Sequence, residues 1–282
     1  MRTPLDDEIE AAQRITWDRF SDGWERWDEV VQHMLGPVGE TMIRTLGIRA
    51  DQHHLDVAAG TGQPGITIAQ LAPRGRVLLT DLAPRMLVAA RHIADAAGID
   101  NIDTRECSAD RLPFPDATFD SATCRFGLML VPRPSRAVAE LARVVRPGGR
   151  IAVSVWAGPD DNPWATIAGT AIATEAPQPA PAGDAPGLFR CSTPGAVSAL
   201  YEAAGLREIA EWDVPVAMVT DSADQYWRMI SELTAPVVSV LDQLDEDARE
   251  RIARSVTRAA TRYQRSGALR IPGLSRCVVG TK

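Results

Sequence analysis

The stretch Leu55-Asp56-Val57-Ala58-Ala59-Gly60-Thr61-Gly62-Gln63-Pro64-Gly65 joins an apolar strand, closed by an acid, to a helix through a glycine turn. Gly60 and Gly62 permit positive φ and let a ligand approach the backbone, while Pro64 suits a first helical turn, where an N–H has no intrahelical partner. The spacing therefore predicts a nucleotide-cofactor pocket. Gly60-x-Gly62-x-x-Gly65 satisfies the dinucleotide fingerprint, with Asp81 ending the next strand and available to a ribose hydroxyl.

Asp56 argues against a pyrophosphate, because a carboxylate on the lip of the loop sits where a helix N-terminus would otherwise favour an anion. An acid there suits a cationic ligand. S-adenosylmethionine carries an ammonium and a sulfonium and no phosphate, and it fits acid, turn and helix better than NAD does. The loop alone leaves NAD as the alternative.

From His53 onward strands and helices alternate: Leu55–Ala58, a helix from Pro64, Arg76–Asp81, a helix from Pro84, Ile102–Glu106, Phe119–Cys124, a helix at Ser135–Val145, and Ile151–Trp156. This is the pattern of a parallel sheet covered on both faces, with ligands at the carboxyl ends of its strands. Before it, Trp17, Phe20, Trp24 and Trp27 recur at helical spacing, and Gly36-Pro37 is expected to break the region. Most of that aromatic stripe is expected to pack on the core, the alternative being a lid over the cofactor.

After Trp156 the regularity stops at a Pro/Ala/Gly loop running from Ala176 to Gly187, expected to be exposed. A helix capped by Thr193 and ending at Ala204, a strand at Leu206–Met218, a helical stretch from Ser222 to about Gln264 and a last strand at Arg270–Gly280 follow. The expected organisation is an N-terminal helical lid (1–50), a cofactor-binding core (51–157), a substrate-region insertion (158–192), a core helix and strand (193–220), a helical cap (221–266) and a final core strand (267–282).

The 282 residues and 45% hydrophobic content suit one large α/β domain with a modest cap. A net charge of −7 disfavours a nucleic-acid partner. The sole lysine is Lys282, which excludes Schiff-base and Walker-lysine chemistry. Cys107, Cys124, Cys191 and Cys277 have no paired spacing, so no metal and no disulfide framework are expected. The opening residues lack a signal-peptide layout and no apolar run approaches the ~20 residues of a span, so the expectation is a cytoplasmic protein with no membrane span.

Five ordered segments resemble the class I S-adenosylmethionine-dependent methyltransferases of the ubiquinone/menaquinone-biosynthesis type. They are 55–62, Thr80-Asp-Leu-Ala-Pro-Arg-Met-Leu87, Ser108-Ala-Asp-Arg-Leu-Pro-Phe-Pro-Asp-Ala-Thr-Phe-Asp120, Arg125-Phe-Gly-Leu-Met-Leu130 and Arg146-Pro-Gly-Gly-Arg150. The resemblance covers about residues 53–157. It implies a Rossmann-like, doubly wound, mostly parallel seven-stranded sheet with helices on both faces, an N-terminal helical lid and C-terminal insertions. It also implies S-adenosyl-L-methionine as cofactor. The expected acceptor is a small molecule of secondary metabolism, the alternatives being a non-catalytic S-adenosylmethionine-binding regulatory protein or a methyltransferase acting on a protein or nucleic acid, with a homodimer left open.

On the same resemblance Asp56, Ala58, Gly60, Thr61 and Gly62 would surround the methionyl part, and Asp81, followed by Leu82, would bind the ribose hydroxyls. Met86 would lie near the adenine or pack in the core; Ser108, Ala109 and Asp110 would meet the adenine amino edge; Arg125 and Phe126 would flank the sulfonium. Arg125 stands where quinone-type members have a small polar residue. A permanent charge there orients an acidic substrate or pairs on the surface with a lid carboxylate, and both readings stand. Asp120 and the Arg146–Gly149 turn read as structural. His53, His54 and His92 read as structural or exposed, leaving His33, in the lid, as the histidine that could act as a catalytic base. Trp156, Trp164, Trp212 and Trp227 suit a flat apolar acceptor and equally the core of a cap.

Overall fold

Leu55, Val57, Val77 and Leu79 alternate with residues that are also mostly buried, as expected of strands covered on both faces. In the computed structural model, which describes residues 3–177, 184–265 and 267–282, these form β1 (His53–Val57) and β2 (Arg76–Asp81). The sheet also contains β3 (Ile102–Glu106), β4 (Phe119–Arg125), β5 (Val145–Trp156), β6 (Arg207–Thr220), the two-residue β7 (Gln264–Arg265) and β8 (Ala268–Thr281). Its order is β3-β2-β1-β4-β5-β8-β6, with β7 paired to β8. β1 to β5 pair in parallel, and β8 runs antiparallel to both β5 and β6. The seven-stranded, mostly parallel expectation holds, with β7 as an addition. The winding direction reverses between β1 and β4, which opens a crevice at their carboxyl ends.

The helices are α1 (Pro4–Arg26), α2 (Asp28–Leu46), α3 (Gly65–Leu71), α4 (Pro84–Ala96), α5 (Pro134–Val144), α6 (Pro163–Glu175), α7 (Ala196–Ala203), α8 (Ala223–Leu233), α9 (Ala235–Leu241) and α10 (Glu246–Thr261). α2 packs on β5, β6 and β8, α3 on β1 and β2, α4 on β2 and β3, and α5 on β5.

The expected break at Gly36-Pro37 does not occur. Pro37 lies inside α2, and the chain bends instead at Trp27, between α1 and α2. A mid-helix proline costs ~3 kcal/mol, but Met34, Leu35, Val38 and Met42 are all buried around it, and that packing outweighs the missing hydrogen bond. The helix expected from Thr193 starts later, after Gly195 in the left-handed region, because Pro194 disfavours helical geometry at the residue before it. The long helical stretch from Ser222 is three helices, with Ser222 and Asp245 capping α8 and α10 and Pro236 in the first turn of α9. Arg146–Gly149 is strand with a register shift rather than a free turn. Of the Pro/Ala/Gly loop, residues 178–183 lie outside the described residues, as does the end of the expected cap at 266. No helix among the described residues is long and apolar enough to cross a membrane.

Candidate active site

Beneath the glycine loop runs a buried chain of polar side chains. Gln52 donates through Nε2 to Ser121 Oγ, which lies 2.7 Å from His54 Nδ1; His54 Nε2 lies 2.8 Å from Thr123 Oγ1, and Thr123 donates to Asp56 Oδ1 at 2.7 Å. Because Gln52 must donate at one end and the Asp56 carboxylate must accept at the other, every hydroxyl points the same way. His54 is then neutral, with its proton on Nε2. Its complete burial pulls its pKa down to about 3, which agrees.

The last link is Gly65 N–H, which donates to Asp56 Oδ2 at 2.9 Å. Both Asp56 oxygens are thus engaged below the loop, and the residue does not line the cavity. This corrects the expectation that Asp56 borders the ligand: it clamps the start of α3 to β1, and its charge reaches the site only through space. Gly62 is corrected likewise. At φ +102 its absent Cβ would stand 2.6 Å from Ile66 Cδ1, so it serves the packing of α3 and does not line the cavity.

Burial raises the Asp56 carboxyl to about 6, against the bonds from Thr123 and Gly65 and the charge of Arg125. A carboxyl raised above its unfolded value stabilises the fold fully below the unfolded pKa and loses that contribution as pH rises through the folded one. A rise of roughly two units corresponds to about 3 kcal/mol. Asp56→Asn should therefore gain about that much relative to wild type between roughly pH 4 and pH 6. Urea unfolding of both proteins across this range checks it, and parallel stability curves would refute it.

Above the loop lies a cleft of about 980 Å3, its open mouth included. Ala58, Ala59, Gly60 and Thr61 form its floor, with Asp81, Leu82 and Met86 from the end of β2 and the start of α4. Cys107, Ser108 and Ala109 follow β3, and Arg125, Phe126 and Gly127 lie at the end of β4. Burial pushes the Cys107 thiol up to about 11, so it stays protonated at neutral pH.

Asp81 accepts from Gly60 N–H through Oδ2 and from Ala83 N–H through Oδ1, each at 2.9 Å. This fixes the carboxylate while leaving each oxygen a further lone pair. Burial raises its pKa, opposed by these backbone bonds. At Gly60, φ is +54 and an added Cβ would meet no atom within 4 Å, so bare backbone faces open space. A carboxylate able to accept from two hydroxyls, an open glycine backbone and the Met86 thioether suit an adenosine with a free ribose diol.

α1 roofs the cleft with Glu10, Gln13, Trp17 and Trp24. Trp17 and Trp24 meet edge to face at 5.9 Å, and Phe20 is the member of the aromatic stripe that is buried. The expectation of core packing therefore holds for Phe20, which is buried, and for Trp24 and Trp27, which pack against the core, while the stripe also serves as a roof. Trp27 bonds Glu232 on α8, while Trp17 and Trp24 line the cavity. Ion pairs such as Arg14–Glu106, Asp22–Arg85 and Asp6–Arg133, at 2.6–2.7 Å, fasten α1 to the core; the first two are exposed, and such pairs contribute ~0–1 kcal/mol each.

Ten of the residues expected at the site line the cleft: Ala58, Gly60, Thr61, Asp81, Leu82, Met86, Ser108, Ala109, Arg125 and Phe126. Asp110 does not; it is buried, with Ser108 Oγ 2.9 Å from its Oδ1. His33 is exposed on α2 and stands outside the cleft, so its expected role as a base has no geometric support. His33→Asn should leave turnover within about twofold of wild type, since exposed side chains away from a site seldom matter; a tenfold loss would restore it as a candidate. Sequence reading missed Glu10, Gln13, Leu35, Gln63 and Val131-Pro132 as lining residues. Asp120 is structural as expected, accepting from His53 N–H and pairing with Arg146.

Residues 55–153 match the family described as Methyltransferase domain. A ubiquinone/menaquinone biosynthesis C-methyltransferase of a Marinomonas species is 32% identical over 165 residues, 56% of this chain and 64% of that one. The chain spans about half the length of the curated relatives it matches first, 45% of each. Among solved structures, YcgJ of Bacillus subtilis superposes with a TM-score of 0.55 at 21% identity, over 86% of this chain and 97% of that one. The cyclase SpnF does so with a TM-score of 0.54 at 20% identity, over 86% and 79%. At these identities the two structures speak for the fold alone.

Proposed function

We propose that this chain is a class I S-adenosylmethionine-dependent methyltransferase, with S-adenosylmethionine as its cofactor, and that it transfers a methyl group to a small, largely apolar organic acceptor. The match of residues 55–153 to a methyltransferase domain supports this reading. The observation that carries this reading is the roofed cleft, with the Asp81 carboxylate at one end and the Arg125-Phe126 pair at the end of β4. When bound, the cofactor supplies a sulfonium methyl that an acceptor nucleophile can displace.

The chain's own residues have two tasks, holding the reactants in line and excluding water. Asp81 would hold the ribose, with Met86 and Ala109 near the base. Phe126, at φ +59, is stacked on the buried Trp156 at 4.2 Å and 16°, and Trp156 in turn meets Trp164 at 4.8 Å. This rigid aromatic wall and the Trp17–Trp24 roof suit a flat acceptor such as an aromatic, polyketide-like or isoprenoid metabolite. No histidine lines the cleft among the described residues, which favours catalysis by placement. The quinone-biosynthesis relatives, named as C-methyltransferases, favour a carbon nucleophile.

The test is transfer of tritiated methyl from S-adenosylmethionine into extract of the source organism, partitioned into organic-soluble, water-soluble and precipitable fractions. Enzyme-dependent label in a small-molecule fraction is expected. Label in the precipitate would move the acceptor to a macromolecule. Binding without label in any fraction would mean that this fold, shared with a cyclase, holds the cofactor for another purpose.

A further inference from the structure

Arg125 is the cation of the cleft, and it makes no ion pair within 4.0 Å among the described residues. Its Nη1 donates to Gln32 Oε1 at 3.1 Å and, at 3.4 Å, to the carbonyl of Leu35. The nearby carboxylates are already engaged. Asp28 accepts from Gln32 Nε2 and Thr61 Oγ1, both at 3.0 Å, and Asp56 accepts from Thr123 and Gly65.

Gln32 therefore stands between Arg125 and Asp28 as a neutral spacer, and these two hydrogen bonds use one of the guanidinium's three nitrogens. Burial pulls the group down to about 10, against the pull of Asp56 and Asp28, yet it remains charged at neutral pH. A half-buried cation whose hydrogen bonds go only to neutral oxygens is costly unless an anion completes its shell. The roof presents a second unmet donor, since the buried Trp24 Nε1 has no hydrogen-bond partner among the described residues. The ligand facing these groups must bring acceptors.

We propose that Arg125 is the specificity residue for the acceptor and takes an anionic oxygen pair, a carboxylate or an equivalent oxyanion, held in the fork of its free N–H groups. A planar guanidinium matches such a pair in two parallel hydrogen bonds. Phe126 and Leu35, which line the same part of the cleft, contact the apolar body of the acceptor. This rests on the methyltransferase reading and narrows it to acidic acceptors. The other carboxylate that could reach the same fork is that of the cofactor's amino-acid end, and the test separates the two.

Benzoate and its neutral isostere benzamide are titrated by calorimetry into the wild-type protein, both ligand-free and saturated with S-adenosylhomocysteine. The saturated protein is expected to prefer benzoate at least tenfold. Arg125→Gln should abolish the preference, and Arg125→Lys, which keeps a point charge, should retain part of it, with circular dichroism melts confirming that both variants fold. A preference present only in the ligand-free protein would assign the fork to the cofactor's carboxylate and overturn the proposal, as would equal binding of the two probes. Failure of S-adenosylhomocysteine to bind wild type would instead strike the methyltransferase reading itself.

Discussion

Asp81→Ala is expected to weaken S-adenosylhomocysteine binding by about 1–3 kcal/mol, roughly 5- to 150-fold, because it removes charge-assisted acceptors from the ribose diol. The carboxylate also fixes two backbone N–H groups, Gly60 and Ala83. The alanine variant therefore loses both the ligand's partner and the brace that shapes the turn. Asp81→Asn separates these effects: one carbonyl oxygen remains to accept, so its loss should be smaller than that of alanine. Burial holds the Asp81 carboxyl above the usual carboxylate range, so wild-type affinity should fall on acidification earlier than an exposed carboxylate would allow. Calorimetry on the three proteins decides the matter. An alanine variant within twofold of wild type would remove Asp81 from the site.

Asp81 was legible because the information is local: a short apolar strand ending in an acid, before a proline-started helix, places its last side chain at the carboxyl edge of a parallel sheet. β2 and β3 were read from sequence at their observed ends for the same reason. Asp56 was misread although it lies next to the end of a similar strand, because its direction depends on a partner distant in sequence. Thr123 on β4 and the N–H of Gly65 draw its carboxylate under the loop rather than over it. His54 could be read as structural, but not as part of a one-way hydrogen-bond chain, since Gln52, Ser121 and Thr123 come together only through the pairing of β1 with β4.

The roof was the least legible part. Periodicity shows that Trp17, Phe20, Trp24 and Trp27 share a helical stripe, but not whether that stripe covers core, cavity or another helix. The structure divides it among all three. Arg125 presents the same difficulty in reverse. Sequence raised the choice between a paired surface arginine and a charge in the site, and only the packing of α2, which brings Gln32 and Leu35 rather than a carboxylate to the guanidinium, favours the second.

Gly65→Ala is expected to be among the most damaging single changes in the glycine loop, costing about 3 kcal/mol or more of stability, at or above the upper end for overpacking a dense core. The added methyl would collide with Leu79 Cδ2 and stand 2.9 Å from Asp56 Oδ2 and 3.2 Å from Asp56 Cβ. Leu79 is completely buried in β2, and Asp56 is held by Thr123 and by the N–H of Gly65 itself. Neither neighbour can yield without opening the seam between β1, β2 and α3, so the glycine loop should move and S-adenosylhomocysteine affinity should fall with stability. Gly60→Ala is the contrast. Its methyl would meet nothing within 4 Å, and its φ of +54 is one that Ala58 already adopts in the same turn. Strain of about 1–2 kcal/mol is then the whole folding cost, while the methyl, added where Gly60 lines the cleft, should still obstruct the cofactor. Urea unfolding and ligand calorimetry on the two variants therefore separate the glycine that lets the sheet close from the glycine that lets the ligand in. A Gly65→Ala protein within 1 kcal/mol of wild type, a margin set by ordinary surface substitutions, would show that α3 does not seat on β1 and β2 as described.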